Sequence, residues 1–483
     1  MLAEKLSTVA RRLLPRNRFA RSVSVLAGGT AAGQLIVVGA SPILTRLYTP
    51  EDFGLLAVYA GLLGTLGVVA SLRYQLAIPL PESDEEAASV TVLSLLVVLG
   101  MTALCALLVA LYGASIVQIL NTPALEPFMW LLPLGLLLAG TYQVFQYWAI
   151  RTKEFPALAR TKLTCAAAMV AVQVGGSTLG PVALVAGQAA GHAAGVNSLR
   201  ILALRKRWNT FRQVRPGTIA WFANRYRRFP IYSSWEGALN TAGLQLPAVL
   251  FAVLFAPSAA GVYLLAHRVL AAPMQVLGTA LADVFYSSAT EARREDRLGT
   301  LVADIHNKLA HIAMPPALIL LFAGPDIFAF VFGADWRQAG EFAQWMAPWM
   351  YFVFVTSPLS RLFLVLEKQA HGMIFQCVLF GGRIGSLFVG HYMGSLALTV
   401  ALFTTTSALC WLGFLAWLVR VSGNTWRQAW QPSVTAMASS ALLVAPLVLF
   451  YSFAEAQVLW FVALIISALL IVTRYAAMIK RFW

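Results

Sequence analysis

The sequence predicts an all-α integral membrane protein with about fourteen transmembrane helices, arranged as two six-helix lobes related as parallel repeats, plus two C-terminal helices. Composition is the first observation behind this fold class. Hydrophobic residues make up 59% of the chain and charged residues only 11%, whereas about a quarter of a soluble domain is charged. A mean hydropathy of +0.73 agrees with a core that is surrounded by lipid.

The length of the apolar runs is the second observation. A helix needs about 20 apolar residues to cross a hydrocarbon layer about 30 Å thick. The basic N-terminal leader is followed by a full-length run, so we expect a first membrane anchor and no cleavable signal. Runs of sufficient length occupy residues 22–46, 54–80, 87–112, 127–150, 158–178, 180–203, 231–256, 259–284, 308–332, 342–366, 371–391, 394–419, 433–453 and 457–479.

A repeated turn is the third observation. The segments Leu47 to Gly54 (LYTPEDFG) and Leu254 to Gly261 (LFAPSAAG) each follow an apolar run, and in each a proline precedes the glycine by four positions. An even number of predicted helices separates the copies, so both would enter the membrane in the same direction. The pattern favours a transporter with its passage between two lobes. Coincidence is the alternative, because Pro and Gly are common in membrane turns.

The distribution of basic residues predicts the orientation. Lys and Arg concentrate in the leader, in segments 151–162, 200–228 and 293–308 and near the C-terminus, whereas the predicted external loops hold only Arg46 and Arg337. Because cytoplasmic loops retain Lys and Arg, we expect both termini in the cytoplasm. The formal charge of +15 is then a topology signal with some attraction to anionic membrane lipids, and it does not indicate nucleic-acid binding.

These features divide the chain into five parts. A basic cytoplasmic leader occupies 1–21, an N-lobe of six helices 22–203, a C-lobe of six helices 231–419 and the last two helices 433–479. The linker 204–230 is charged, aromatic and interrupted by proline, so we expect an amphipathic helix on the inner membrane surface. All four cysteines lie in apolar runs and no metal-binding spacing occurs. The sequence therefore predicts no disulfide framework, metal or cofactor.

Arginines inside the apolar runs are the candidate functional residues. A charge near the bilayer centre costs from about 2.5 to more than 10 kcal/mol, so it usually faces a bundle interior or a wet cavity. Arg268 and Arg383 lie deep in predicted helices eight and eleven, and Arg73 lies in the inner third of helix two if that helix continues to about residue 80. For Arg73, an extended side chain that reaches the headgroups is an alternative.

Polar residues at helical spacing accompany the arginines. Residues three or four positions apart, or seven apart, share one face of a helix. Plain hydrogen bonds between helices are the alternative reading for any single stripe, but several stripes in the leading helices favour a common cavity. The residues in question are Gln34 in helix one, Glu236 and Asn240 in helix seven, with Gln245 about one residue from their face, and Arg268, Gln275 and Asp283 in helix eight.

The residue types suggest the cargo. Guanidinium groups bind phosphate oxygens in bidentate fashion, and amides match sugar hydroxyls. We therefore expect Arg268, Arg383 and Arg73 to hold an anionic group, with Asn240, Gln245, Gln275 and Gln34 near hydroxyls. Glu236 and Asp283 are candidate coupling residues or charge partners. A carrier of organic cations would need more unpaired carboxylates.

Several longer runs carry a family resemblance over nearly the whole chain. They are LTRLYTPEDFG (Leu44 to Gly54), SLRYQLAIPLP (Ser71 to Pro81), YRRFPIYSS (Tyr226 to Ser234), AGVYLLAHRVLAAPMQVLG (Ala260 to Gly278) and FGADWRQAG (Phe332 to Gly340). Together they resemble the polysaccharide-transporter branch of the multidrug/oligosaccharidyl-lipid/polysaccharide exporter superfamily, which contains the Wzx-type flippases of O-antigen, lipopolysaccharide and exopolysaccharide assembly.

This resemblance implies a function. Members move undecaprenyl-diphosphate-linked oligosaccharide from the inner to the outer leaflet of the bacterial inner membrane, and a polysaccharide polymerase and a chain-length regulator are implied partners. Arg268 is the position that matches the cavity arginines of related lipid II flippases. One departure is Gln75, where relatives often have Glu, so a pairing of Arg73 with an acid is not expected here. The substrate, the partners and the match of Arg268 are implied by the resemblance alone.

Two alternatives come from other functional classes. A cation-coupled multidrug exporter of the same superfamily would share the fold, but an arginine-rich interior argues against cationic cargo. A membrane polysaccharide polymerase or ligase would need a substantial external loop with catalytic residues, and the longest predicted one, 113–126, contains no basic residue. The sequence therefore predicts a transport protein and not an enzyme.

Overall fold

The protein is helical throughout the part of the chain that the computed structural model describes, which comprises residues 18–366, 368–452 and 457–482. Fourteen of its α-helices contain 20 residues or more, and the described residues include no strand. The helices are α1 (Arg18–Leu47), α2 (Pro50–Val69), α3 (Asp84–Ile119), α4 (Leu131–Arg151), α5 (Phe155–Gly175), α6 (Pro181–Arg212), α7 (Pro216–Arg225), α8 (Ser234–Leu254), α9 (Pro257–Arg294), α10 (Leu298–Phe332), α11 (Arg337–Thr356), α12 (Leu362–Val365), α13 (Gln369–Tyr392), α14 (Leu396–Val421), α15 (Trp426–Ser452) and α16 (Gln457–Phe482).

The predicted fold class is confirmed. Each of the fourteen apolar runs overlaps one long helix. By length and composition alone, nine helices among the described residues qualify as membrane spans. The chain is therefore a multi-pass membrane protein.

One predicted helix boundary is wrong. The run at 54–80 was expected to form a single helix, but α2 ends at Val69. Leu72 and Arg73 have φ values of 48° and 63°, a left-handed backbone that an α-helix of L-residues cannot continue. A short 3₁₀ helix, Tyr74–Ala77, follows. Arg73 consequently lies in a turn between two helical segments and not within a membrane helix.

Contacts divide the chain into two units, one that ends at Leu264 and one that begins at Leu265. The division falls inside α9 and not in the linker 204–230, because α8 packs against α2 of the first unit. The lobe boundaries 22–203 and 231–419 stay a prediction. Matching helices do pack alike within each unit: α3 on α4, α5 on α6 and α4 on α6 in the first, and α10 on α11, α13 on α14 and α11 on α14 in the second.

The two copies of the repeated turn meet within the first unit. A methyl group on Gly54 would overlap the carbonyl of Pro257, and one on Gly261 would overlap the carbonyl of Pro50. Each proline is the first residue of its helix, where its missing N–H costs nothing. The starts of α2 and α9 therefore approach so closely that only glycine fits at either contact.

A single arginine holds the segment that follows Arg73. The side chain of Arg151, at the end of α4, is only 11% exposed. It converges on the stretch that connects the 3₁₀ helix to α3, and it bonds five acceptors there. Its Nε donates to Asp84 Oδ1 at 3.1 Å, Nη1 donates to the carbonyl oxygens of Ile78 (3.4 Å) and Pro81 (2.7 Å), and Nη2 donates to those of Glu82 (3.3 Å) and Ser83 (2.9 Å).

Candidate functional site

Arg73 is brought against α8 by its left-handed backbone. Its guanidinium lies over Gly237, where a Cβ would be 2.7 Å from an Nη atom. Arg73 Nε is buried and has no hydrogen-bond partner among the described residues. A buried donor that lacks an acceptor costs about 1–3 kcal/mol, so this group is suited to an acceptor that a ligand supplies.

A network of buried amides lies close along the chain from Arg73. Gln75, which is 1% exposed, accepts a hydrogen bond from the Ser71 hydroxyl. Its Nε2 donates to Gln143 Oε1 at 3.4 Å, and Gln143 Nε2 donates to the Gly67 carbonyl oxygen at 3.1 Å. Sequence reasoning did not single out Gln143. The apolar run 127–150 contains two amides, Gln143 and Gln146, and nothing in their spacing indicates that Gln143 meets Gln75.

The three polar residues predicted in α8 differ in their surroundings. The Gln245 side chain lies over Gly64 of α2, where a Cβ would be 2.5 Å from Nε2. Asn240 and Glu236 are exposed. Glu236 and Asn240 lie on the same helix as Gly237 and flank the Arg73 contact, but in the described part of the chain Glu236 forms no ion pair with Arg73.

Gln34 lies elsewhere in the first unit. It is half-buried in α1, next to Gly33, whose Cβ would be 3.1 Å from the carbonyl oxygen of Lys162 in α5. The amino group of Lys162 lies 5.4 Å from the centre of the Tyr142 ring, and the Tyr142 and His192 rings are 6.1 Å apart. The sequence pattern indicates only a topological role for Lys162 and does not predict that it packs on the Tyr142 ring.

Arg268 lies in α9, within the second unit, and is half-buried. Among the described residues it has neither an ion-pair partner nor a hydrogen-bond partner. The preceding residue, His267, packs against Trp349 with ring centres 6.0 Å apart. An unneutralised guanidinium in a membrane helix is suited to an anionic ligand.

Arg383 has a different environment. It is 9% exposed, and its guanidinium carbon lies 4.8 Å from the Trp349 ring centre and 5.7 Å from that of Phe403. Its Nε donates to the Ser407 hydroxyl at 3.0 Å. Aromatic faces stabilise a desolvated cation by about 2 kcal/mol. Arg383 is therefore held by aromatic rings within the packed interior of the second unit.

The predicted residues thus fall into separate groups. Arg73 contacts α8 at Gly237, and Gln245 of α8 contacts α2 at Gly64, whereas Asn240 and Glu236 are exposed on α8. Arg383 and His267, the neighbour of Arg268, both contact Trp349. Gln34 belongs to neither group. The side chains of Gln275 and Asp283 lie outside the described residues.

The described residues contain no group of three His, Cys, Asp or Glu side chains that could hold a metal ion. Among them the four cysteines are free thiols. Guanidinium and amide groups of the kind that Arg73 and Gln245 carry are able to bind anions and hydroxyls.

Solved structures share this fold. A protein described as lipid II flippase MurJ in an inward closed conformation matches with a TM-score of 0.72 and 12% identity, over 95% of this chain and 99% of that chain. A multidrug resistance MATE family transporter of the MOP superfamily matches in an inward-facing conformation with a TM-score of 0.58 and 12% identity, over 82% and 94% of the two chains. A multidrug resistance MATE family transporter in an outward-facing conformation matches with a TM-score of 0.53 and 13% identity, over 84% of this chain and 97% of that chain. At such identities the likeness concerns the fold alone.

The sequence itself carries the family assignment. None of the curated proteins compared with this chain matches it. The family described as "Polysaccharide biosynthesis protein" matches residues 43–341, which is more than half of the chain and includes the repeated turns, the Arg73 turn and Arg268. This multi-pass membrane chain therefore belongs to the polysaccharide biosynthesis protein family.

Proposed function

We propose that this protein is a flippase that moves undecaprenyl-diphosphate-linked oligosaccharide units from the inner to the outer leaflet of the bacterial inner membrane. It acts by alternating access between its two predicted lobes, for lipopolysaccharide or exopolysaccharide assembly. It forms and breaks no covalent bond, and both termini are cytoplasmic. A polysaccharide polymerase and a chain-length regulator are its proposed partners on the same route.

The observation that carries this proposal is that Arg73 and Arg268 lack acidic partners within the described residues. A buried cation without a counter-ion is costly in a membrane protein. A diphosphate would offset that cost by supplying oxygen acceptors to guanidinium forks. The family match and the likeness of the fold to a lipid II flippase support the same cargo class.

The remaining polar residues take supporting roles in the proposal. Gln245, Asn240, Gln275 and Gln34 contact sugar hydroxyls, and the polyprenyl tail stays in lipid. Arg383 reaches the diphosphate only if its aromatic surroundings open, so we assign it a secondary role. Glu236 and Asp283 balance the charge of the empty carrier, because a net positive cavity would otherwise hold the product too tightly.

The test uses proteoliposomes that contain a labelled polyprenyl-diphosphate glycan and measures exposure of the label to an impermeant probe. Wild-type protein is expected to accelerate exposure, and Arg268→Ala to slow it at least tenfold, since a charged hydrogen bond contributes about 1.5–3 kcal/mol. Arg294→Ala, an exposed residue at the end of the same helix, is the matched control and should transport normally.

Two outcomes would contradict the proposal. One is an Arg268→Ala protein that is folded and transports at the wild-type rate. The other is a wild-type protein that leaves the glycan in place but extrudes cationic dyes, which would favour the multidrug exporter instead. Thermal unfolding of each variant in detergent separates a loss of transport from a loss of folding.

A further inference from the structure

The linker between α6 and α8 contains a basic pocket that the proposed function does not use. Trp221, Asn224, Arg225, Arg227 and Arg228 line a cavity of about 460 Å³. We propose that this pocket, termed the linker pocket, binds the phosphate group of a membrane lipid at the cytoplasmic surface. Its ligand is either the diphosphate of the carrier lipid or the headgroup of an ordinary anionic phospholipid.

Charge is the first argument. The three arginines of the linker pocket are exposed, and in the described part of the chain none of them has an acidic partner. No acidic residue lines the pocket. The carbonyl end of α7 contributes about half a negative charge, which three guanidinium groups outweigh. A phosphate is therefore the ligand class that the lining favours.

The second argument is that the arginines are partly oriented in advance. The Arg225 guanidinium carbon lies 5.4 Å from the centre of the Trp221 ring, and Arg227 Nη1 donates to Asn224 Oδ1 at 3.4 Å. Trp221 is 56% exposed, as expected of an indole that rests among lipid headgroups. Preorganisation lowers the entropy lost when a ligand binds.

The third argument is that α7 is fixed to the helices of the first unit. Phe222 is buried, and α7 packs against α3. The Ser89 hydroxyl of α3 lies 3.5 Å from the Thr218 hydroxyl. A surface helix that only floated on lipid would have no such contacts. The linker pocket is therefore part of the folded protein.

The last argument connects the linker pocket with the proposed passage. The Tyr74 hydroxyl donates to the carbonyl oxygen of Ala223 in α7 at 3.0 Å, and Tyr74 directly follows Arg73. The pocket is thus joined to the turn that presents the unpartnered Arg73 Nε. A lipid diphosphate bound in the linker pocket would therefore lie close to the turn that contains Arg73. This step, unlike phosphate binding itself, rests on the proposed flippase function.

The test is local labelling of the full-length protein in phosphatidylcholine nanodiscs. Farnesyl diphosphate with a photoreactive group in its first isoprene unit is irradiated with the protein, and adducts within residues 216–230 are counted by mass spectrometry. In the triple variant Arg225→Gln, Arg227→Gln and Arg228→Gln, the labelling of this segment is expected to be at least tenfold lower than in the wild type. Raising the salt concentration should weaken labelling of the wild type, because exposed charges are screened.

A charge-matched triple variant is the control. Arg200, Arg212 and Arg215 are exposed, lie in or beside the same linker and do not line the pocket. Their replacement by glutamine should change the labelling less than twofold. Equal losses in both triple variants would show that only total charge matters and would overturn the proposal. Unchanged labelling in the pocket variant would overturn it as well.

Competition identifies the source of the phosphate. If the pocket binds ordinary phospholipid, phosphatidylglycerol in the nanodisc should abolish labelling of residues 216–230. If it binds the carrier lipid, labelling should persist in the presence of phosphatidylglycerol. Only inorganic pyrophosphate or unlabelled farnesyl diphosphate should then compete with it. Both results support a phosphate site. A failure of the flippase proposal can be distinguished from a failure of this one. If only the flippase proposal is wrong, the wild-type protein is labelled at the pocket but does not transport glycan.

Discussion

Gly54 in α2 lies directly against the carbonyl group of Pro257 at the start of α9. Gly261 repeats the relationship against Pro50, so each copy of the repeated turn supplies a proline carbonyl and receives a glycine. The glycine of the sequence repeat thus has a physical cause, since the contact leaves no room for a side chain at either copy.

Replacement of Gly54 by alanine is expected to force the starts of α2 and α9 apart. The added methyl group meets backbone atoms that cannot rotate away, and overpacking of this kind costs about 1–3 kcal/mol. The midpoint of thermal unfolding in detergent should fall, and Gly261→Ala should do the same. Because both changes open one contact, the double variant should lose less than the sum of the two.

Gly39→Ala is the matched control. A Cβ at Gly39, in α1, would have no atom within 4 Å, and alanine favours a helix over glycine by about 1 kcal/mol. Its unfolding midpoint should stay level or rise. Equal midpoints for Gly54→Ala and Gly39→Ala would contradict the close contact between the two turns.

Arg151→Ala should release the segment that follows Arg73. It removes a charged donor from four carbonyl oxygens and Asp84, and we expect a loss of about 2–4 kcal/mol of stability together with reduced transport. Arg160→Ala, an exposed arginine nearby in α5, should change stability by no more than about 0.5 kcal/mol. Similar melting of both variants would argue against the role assigned to Arg151.

Gln143→Leu tests the buried amide network. The change leaves the Gln75 amide and the Gly67 carbonyl without their partner, which should cost about 1–3 kcal/mol. Gln118→Leu, at an exposed position in α3, should be close to neutral. If leucine at Gln143 leaves the thermal midpoint unchanged, these amides do not hold α2 and α4 together.

Ser407→Ala and Arg383→Lys test the aromatic surroundings of Arg383. Alanine removes the acceptor of Nε, and lysine cannot place a planar cation against Trp349 and Phe403. Both variants should unfold at lower temperature, by the equivalent of about 1–3 kcal/mol. Arg268→Ala should instead keep its midpoint and lose transport. An unchanged midpoint in Arg383→Lys would place Arg383 with Arg268 as a ligand-facing residue.

The sequence predicts the number and order of the long helices well, because membrane spans depend on the local sum of apolar residues. It fails at the end of α2. The apolar run continues through Leu72 and Ile78, but the left-handed turn at Arg73 interrupts the helix. Nothing in the local pattern indicates this turn. The Arg73 side chain reaches Gly237 of α8, and Arg151 of α4 binds the segment that follows, so both contacts come from residues distant in the sequence.

The sequence indicates which residue types are candidates for the site but not their partners. Arginines inside apolar runs are rare enough to be noticed, so Arg73, Arg268 and Arg383 were candidates, and their role in binding stays a prediction. Their environments depend on tertiary contacts. The aromatic rings around Arg383 come from α11 and α14, and the spacing within α13 holds no information about them. Gln143 was missed for the same reason, since one amide becomes notable only beside Gln75.

Arg151 also constrains the order in which the protein is assembled during synthesis. The carbonyl groups of residues 78–83 leave the ribosome long before Arg151 does, so they have no donor from it until α4 has been inserted. A nascent chain halted ahead of position 151 should therefore be cut readily by protease in this stretch. Protection should begin once the whole of α4 has emerged. The segment 78–83 therefore reaches its final structure only after the fourth helix has been synthesised.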